Sequence, residues 1–203
     1  MRLTILCLCG VEISSFAGQT VTFRFNETWS TGDYYVSFDD FGLVGSCTAP
    51  TTQASGINFP TVGSASIAGA FSAAGAPGAT GYLVLRTPGS TNPDTNPANG
   101  TFYTAGATLG NATVVSSGTG TTFTASGLAA STSYRFTVYA YNAGCGGEPV
   151  YNVTSAPFQD QSTLGPQNIL SQGGAGLWSQ TSTWTGGIIP SANDNVTITT
   201  GNP

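Results

Sequence analysis

The chain contains no histidine and no lysine, and these absences exclude most catalytic machinery. Only 6% of its 203 residues are charged, and the net charge is −5. Without histidine no Ser-His-Asp or Cys-His arrangement can form, and without lysine there is neither a Schiff-base nucleophile nor a Ser-Lys pair. Carboxylate chemistry stays open, because a glycosidase needs only two carboxylates. We predict that the protein is not an enzyme. We also predict no cofactor, although a bound calcium ion stays open.

Basic patches and long apolar runs are also missing. The four arginines are scattered singly, at Arg2, Arg24, Arg86 and Arg135. Because phosphate backbones are bound by clustered basic side chains, we predict no nucleic-acid partner. No apolar run approaches the roughly 20 residues that a membrane-spanning helix needs. We therefore predict no membrane span.

The residues that are abundant favour strands and turns. The chain has 28 glycines and 11 prolines, and 39% of its residues are hydrophobic. Such a composition disfavours helices but supplies enough apolar surface for a core, so the fold class expected is all-β. Abundant Thr, Ser and Asn without lysine indicate a secreted or cell-surface protein, with neighbouring domains of the same chain as its partners.

The first ten residues, MRLTILCLCG, allow two interpretations. One positive charge followed by a short apolar run is typical of a secretion signal. Alternatively, Met1 is not the true start and the sequence is a fragment of a larger protein. The pairing of Cys7 and Cys9 stays open, since their partners can lie upstream.

Residues 1–46 contain two strand-like segments, FAGQTVTFRF and a second that ends in SFDDFGL. They resemble the last strands of a jelly-roll domain found in secreted bacterial adhesins. In such domains an aspartate of the second motif often lies near a structural calcium, which makes Asp39 and Asp40 weak calcium candidates. Neighbouring residues on a strand face opposite ways, so these two aspartates cannot form a pair by themselves. The alternative is a solvated or turn-bonding role.

Residues 47–158 carry a regular succession of strand patterns. Eight segments end in Gly, Pro or Asn, the spacing of an antiparallel sandwich; they are SGINFPTV, ASIAGAFSA, GYLVLRTP, GTFYTAG, NATVVSSG, TTFTASG, TSYRFTVYAYN and PVYNVTSAP. In SYRFTVYAYN, period-two alternation directs Tyr134, Phe136, Val138 and Ala140 to one face. The opposite face then carries Arg135, Thr137, Tyr139 and Tyr141.

The segment from Leu128 to Tyr134 crosses the turn AASTS and resembles the E–F corner of a fibronectin type III domain. This resemblance implies an immunoglobulin-like antiparallel β-sandwich over residues 47–158, with the tyrosine bonded to upstream backbone. It also implies core positions on strands B and C, at Ile67, Phe71, Tyr82 and Val84. The segment FYTAGATLGNATVV further resembles the variety found in large secreted proteins of Bacteroidetes-type bacteria.

The same resemblance implies a disulfide between Cys47 and Cys145. Cys47 lies where the chain enters the sandwich and Cys145 lies in the F–G loop, at the same pole. Such a bridge requires an oxidising compartment. The alternatives are two free thiols, or a metal site, for which histidine and CxxC spacing are missing.

Residues 159–172 are predicted to form a polar linker, and residues 173–203 to begin another module. The latter resemble the opening of a right-handed β-helix or G8-like module, at Trp178, Trp184, Gly186, Gly187, Pro190, Asp194, Val196, Ile198 and Gly201.

Two functions follow from this organisation. The first is a non-catalytic structural or adhesive spacer. The second is an accessory module of a polysaccharide-degrading enzyme, with Tyr139 and Tyr141 as exposed platforms for sugar rings, helped by Tyr103 and Tyr151. The alternative for these tyrosines is a covering role on the sheet. The loop STNPDTNPANG, which contains Asp94, indicates first a turn-rich connection. The alternative is a calcium-binding loop.

Overall fold

The computed structural model describes residues 45–173 and 176–199. A fibronectin type III-like β-sandwich occupies most of the first range, and its strands are β1 (Ser55–Val62), β2 (Ser66–Ser72), β3 (Gly81–Pro88), β4 (Thr108–Leu109), β5 (Ala112–Gly118), β6 (Thr122–Ser126), β7 (Ser133–Asn142), β8 (Val150–Tyr151) and β9 (Phe158–Ser162). One sheet has the order β1-β2-β6. The other has the order β4-β5-β3-β7, and both β8 and β9 pair with β7. Every pairing in the two sheets is antiparallel.

The core lies between the two sheets, on the face of β7 that the alternation predicts. Tyr134, Phe136, Val138 and Ala140 are buried there, together with Ile67, Phe71, Tyr82, Val84, Phe123 and Leu128. The corner expected from the sequence is present, because the backbone N–H of Ala129 donates to the hydroxyl of Tyr134 at 3.0 Å. The predicted sandwich and its predicted core positions are confirmed.

Two predicted strands differ from those observed. Residues 100–106 form a loop whose aromatic side chains, Phe102 and Tyr103, pack on tyrosines of β7 and β8. The segment 149–157 forms only β8. The backbone then turns away, with Ser155 at a positive φ of 50° and the N–H of Thr154 bonded to the Asn152 side chain. Pairing with β7 resumes at β9, which completes the sandwich at Ser162.

A small second unit follows the sandwich. Its strands β10 (Asn168–Leu170) and β11 (Asn195–Thr197) are parallel. Between them lie two single-turn 3-10 helices, Thr181–Thr183 and Thr185–Gly187. Because β9 and β10 both lie within residues 159–172, the prediction of a linker over that whole range is wrong. The described residues include no helix with the length and apolarity needed to cross a membrane.

Gly69 leaves room for the ring of Phe123, which lies directly over it. It is paired with Phe123, and a Cβ at residue 69 would overlap the ring of that phenylalanine. The ring is buried and touches Phe71 and Phe136, so it has no open space into which to move.

Gly69→Ala is therefore expected to lower the free energy of unfolding by about 1–3 kcal/mol through overpacking. Urea denaturation followed by circular dichroism measures the loss. Gly75→Ala is the matched control, because no atom lies within 4 Å of its added Cβ. Equal stability of the two variants would contradict the close approach.

Candidate functional site

The first candidate feature is a covalent corner at the pole where the chain enters the sandwich. Cys47 and Cys145, 98 residues apart, form the disulfide that the sequence predicts, with a Cα–Cα distance of 5.0 Å. Two backbone hydrogen bonds flank it, from Cys47 N–H to the Gly146 carbonyl and from Gly146 N–H to the Gly45 carbonyl. The incoming segment is thus held beside the loop that follows β7.

The loop that carries Cys145 is ordered by one carboxylate. Glu148 accepts hydrogen bonds from the backbone N–H groups of Gly144 and Cys145. On the other side, the Asn142 side chain donates to the Thr48 carbonyl at 2.8 Å. These contacts position both halves of the disulfide, which has a structural role here.

The predicted sugar-binding tyrosines are placed differently from the expectation. Tyr139 and Tyr141 lie on the outer face of β7, as the alternation predicts, but only 4% and 5% of their surfaces are exposed. They belong to a second apolar cluster, here called the outer cluster, which comprises Leu83, Leu85, Leu109, Ala112, Val114, Tyr139, Tyr141 and Tyr151. Burial raises the pKa of Tyr139. The proposal of an exposed tyrosine platform is wrong.

The loop of residues 89–107, here called the cover loop, is what buries the outer cluster. The hydroxyl of Tyr151 donates to the Thr101 carbonyl, and its backbone N–H donates to the Asn99 side chain. The ring of Phe102 packs edge-on against Tyr141, and Tyr103 contacts Tyr151. Tyr103 and Tyr151 therefore serve the covering role that the sequence left as the alternative.

The carboxylate in the cover loop holds the loop in place. Asp94 Oδ1 accepts hydrogen bonds from the backbone N–H of Asn111 and the hydroxyl of Thr95. The turn-rich interpretation of this loop accounts for these contacts without a cation. No group of three potential metal-binding side chains occurs among residues 45–173 and 176–199. The calcium candidates Asp39 and Asp40, like Cys7 and Cys9, lie outside the described residues.

The second candidate feature, here called the junction, joins the sandwich to the unit that follows it. The carboxylate of Asp194 accepts four hydrogen bonds: from the Ser64 hydroxyl, from the Ser191 backbone N–H and hydroxyl, and from the Gln167 backbone N–H. The Asn193 side chain donates to the carbonyls of Ser64 and Leu128. One short turn of the second unit thus bonds to the β1–β2 turn and to the E–F corner.

The electrostatics of the junction favour the charged form of Asp194. Burial by itself raises the pKa of this carboxyl, but the hydrogen bonds from Gln167, Ser191 and Ser64 outweigh it and lower the pKa to about 2. The sequence marks Asp194 only as one of the residues by which residues 173–203 resemble the start of a β-helix-like module. It gave no signal for Ser64 or Asn193, because their role depends on how the second unit docks.

Neither a protein-family model nor a curated protein matches the chain. A crystal structure of titin domains is 17% identical over 58% of this chain and 33% of that chain, with a TM-score of 0.39. The FN3 domain of human collagen XX is 14% identical over 59% of this chain and 100% of that chain, with a TM-score of 0.35. Domains d3–d4 of rat CD45 are 15% identical over 75% of this chain and 86% of that chain, with a TM-score of 0.34. The assignment of the fold rests on the strand order.

Loss of the disulfide is expected to destabilise the sandwich. Closing a loop of about 100 residues removes entropy from the unfolded chain, and loss of such a bridge typically costs about 2–5 kcal/mol. The double variant Cys47→Ser with Cys145→Ser should therefore unfold at a lower urea concentration. Reductant should shift the wild type towards the variant and leave the variant unchanged. A reductant effect of equal size on the variant would contradict the assignment.

Asp194 should titrate well below an ordinary aspartate. The pKa of its carboxyl is about 2 in the folded chain, below the usual value of 3.8 that applies in the unfolded chain. The charged carboxylate therefore contributes its full stabilisation to docking at pH values above 3.8. That contribution is lost as the pH falls through about 2. The carboxyl ¹³C shift of Asp194 against pH measures the midpoint, which Ser64→Ala should raise. A midpoint near 3.8 in the wild type would refute the proposed role of these hydrogen bonds.

Proposed function

We propose that this chain is a non-catalytic structural or adhesive spacer of a secreted or cell-surface protein, and that it holds the unit after the sandwich in a fixed orientation. The observation that carries the proposal is the set of hydrogen bonds that cross between the two units: the Ser64 hydroxyl donates to Asp194, and the Asn193 side chain donates to the carbonyls of Ser64 and Leu128. A flexible connection needs no such contacts, whereas bonds to two separate segments of the sandwich, one of them to a charged carboxylate, restrict both position and rotation.

The two anchored features lie at opposite poles of the sandwich. The disulfide lies where β7 ends, and the junction lies at the turn between β1 and β2 and at the corner before β7. Because β7 runs the full length of its sheet, one anchor is separated from the other by the length of that strand. An element that holds its neighbours apart is expected to be fixed at both ends.

The composition supports a non-catalytic role and an extracellular location. The absence of histidine and lysine removes most nucleophile and base chemistry, and a disulfide is stable in an oxidising compartment. The bacterial surface-protein context and the β-helix-like identity of the second unit belong to this proposal as well. The parallel pairing of β10 with β11 is the pairing that a β-helix requires.

Carbohydrate binding through Tyr139 and Tyr141 is not proposed, because both rings are buried in the outer cluster. An accessory carbohydrate-binding function would need another surface.

Residual dipolar couplings test the spacer function. If the junction is rigid, the amide couplings of the sandwich and of residues 167–173 and 176–199 should fit a single alignment tensor. Ser64→Ala combined with Asn193→Ala should produce two independent tensors, because it removes the four side-chain hydrogen bonds that cross between the two units. Ser117→Ala, a hydroxyl deletion on β5 away from the junction, should keep one tensor. Two tensors in the wild type would overturn the proposal.

A further inference from the structure

A cavity of about 230 Å³ lies on the outer face of the larger sheet, beside the outer cluster. Three parts of the chain form its walls. Thr137 and Tyr139 come from β7, and Asn92 and Asn96 come from the cover loop. Val153 comes from the segment that joins β8 to β9, and Phe158 is the first residue of β9. The cavity shares no residue with the junction or the disulfide corner.

Thr137 supplies a polar group that the fold leaves unsatisfied. The residue is only 4% exposed, and its Oγ1 makes no hydrogen bond to any residue that the structure describes. A buried hydroxyl without a partner is costly, and a hydroxyl can both donate and accept. Thr137 lines the cavity, so a hydroxyl or amide group of a ligand that displaces the side chains over this oxygen would satisfy it.

Two asparagines add further polar groups at the rim. Both oxygen atoms of Asn92 accept hydrogen bonds. The side-chain Oδ1 accepts one from Arg135 at 2.6 Å, and the backbone carbonyl accepts one from the Asn111 side chain. This arrangement leaves the side-chain NH₂ of Asn92 as a donor. The Asn96 side chain makes no hydrogen bond within the described part of the chain, so it offers both a donor and an acceptor.

The remaining walls are apolar and carry no net charge. The ring of Phe158 is 49% exposed, and the guanidinium of Arg135 stacks on it at 3.9 Å from the centroid. Arg135 is also paired with Asp160 through two short hydrogen bonds, at 2.7 and 2.9 Å. Because the nearest charges neutralise each other, the cavity favours a neutral ligand over an ion.

We propose that this cavity binds one neutral sugar residue. A pyranose ring presents hydroxyl groups at its edge and C–H groups on its faces. Those features match the Thr137 hydroxyl, the two asparagine amides and the wall formed by Tyr139 and Phe158. The volume lies below the roughly 300–1,000 Å³ of pockets for drug-sized ligands, so the site takes a single ring, such as the terminal residue of a glycan.

The site would add a binding activity to the spacer function, and it does not depend on that function. The sugar would be held between the cover loop and the β8–β9 segment. The hypothesis from the sequence placed it instead on exposed tyrosines. Tyr139 takes part only as one wall of the cavity.

An NMR titration of the full chain tests the site, with D-glucose, D-galactose, D-mannose and N-acetyl-D-glucosamine as probes. At least one sugar should cause saturable shifts in the amide signals of Thr137, Val153 and Phe158. The midpoint should be on the order of millimolar, because a ligand of this size has few atoms with which to bind. N-acetylglycinamide is the control for a general affinity for amides.

Two matched variants decide where the sugar binds. Thr137→Val keeps the branched shape in the strand but removes the hydroxyl, and it should weaken binding by about tenfold or more. Thr124→Val makes the same change on the exposed face of β6 in the other sheet and should bind as the wild type does. Circular dichroism establishes that both variants are folded.

Three results would overturn the proposal. The first is the absence of saturable shifts with any of the four sugars. The second is binding that Thr137→Val does not weaken, which would put the sugar elsewhere. The third is an equal or stronger response to N-acetylglycinamide, which would indicate a peptide ligand. The rigidity of the junction is measured separately, so these results leave the spacer function untouched.

Discussion

The burial of both faces of β7 is the constraint on which the rest of the structure depends. Its inner face supplies Phe136 and Val138 to the core, and its outer face supplies Tyr139 and Tyr141 to the outer cluster. A sheet face of this kind cannot be left in water without exposing a large apolar patch. The cover loop is therefore a structural requirement of the fold, and the cavity beside Thr137 lies where that cover stops.

The sequence predicted the sandwich because its signals are local. Alternation in SYRFTVYAYN identified the two faces of β7, and the spacing between Leu128 and Tyr134 identified the corner. The pairing of Cys47 with Cys145 followed from the fold resemblance alone. Each of these features depends on residues close in sequence or on a topology that the strand order already fixes.

The outer cluster, the junction and the cavity could not be predicted in the same way, because they depend on contacts between distant segments. The run YLVL in β3 did carry a signal: Leu83 and Leu85 alternate with Tyr82 and Val84, and a continuous apolar run indicates a strand buried on both faces. That signal argued against exposed tyrosines on the neighbouring strand. By contrast, Ser64 and Asn193 have no sequence pattern that marks them as docking residues.

The disulfide also determines which part of the chain bears a mechanical load. Tension applied before Cys47 and after the second unit would cross the covalent bridge and continue from Cys145 along β8 and β9. The backbone of the 98-residue loop is outside that path, so β1 to β7 are pulled only through their hydrogen bonds to β8, to β9 and to the junction. Even if β8 and β9 were stripped from the sheet, the residues between Cys145 and Thr163 would add only about 60 Å of extended chain. The bridge keeps the loop that it closes, which would be about 330 Å long when extended, from being pulled out.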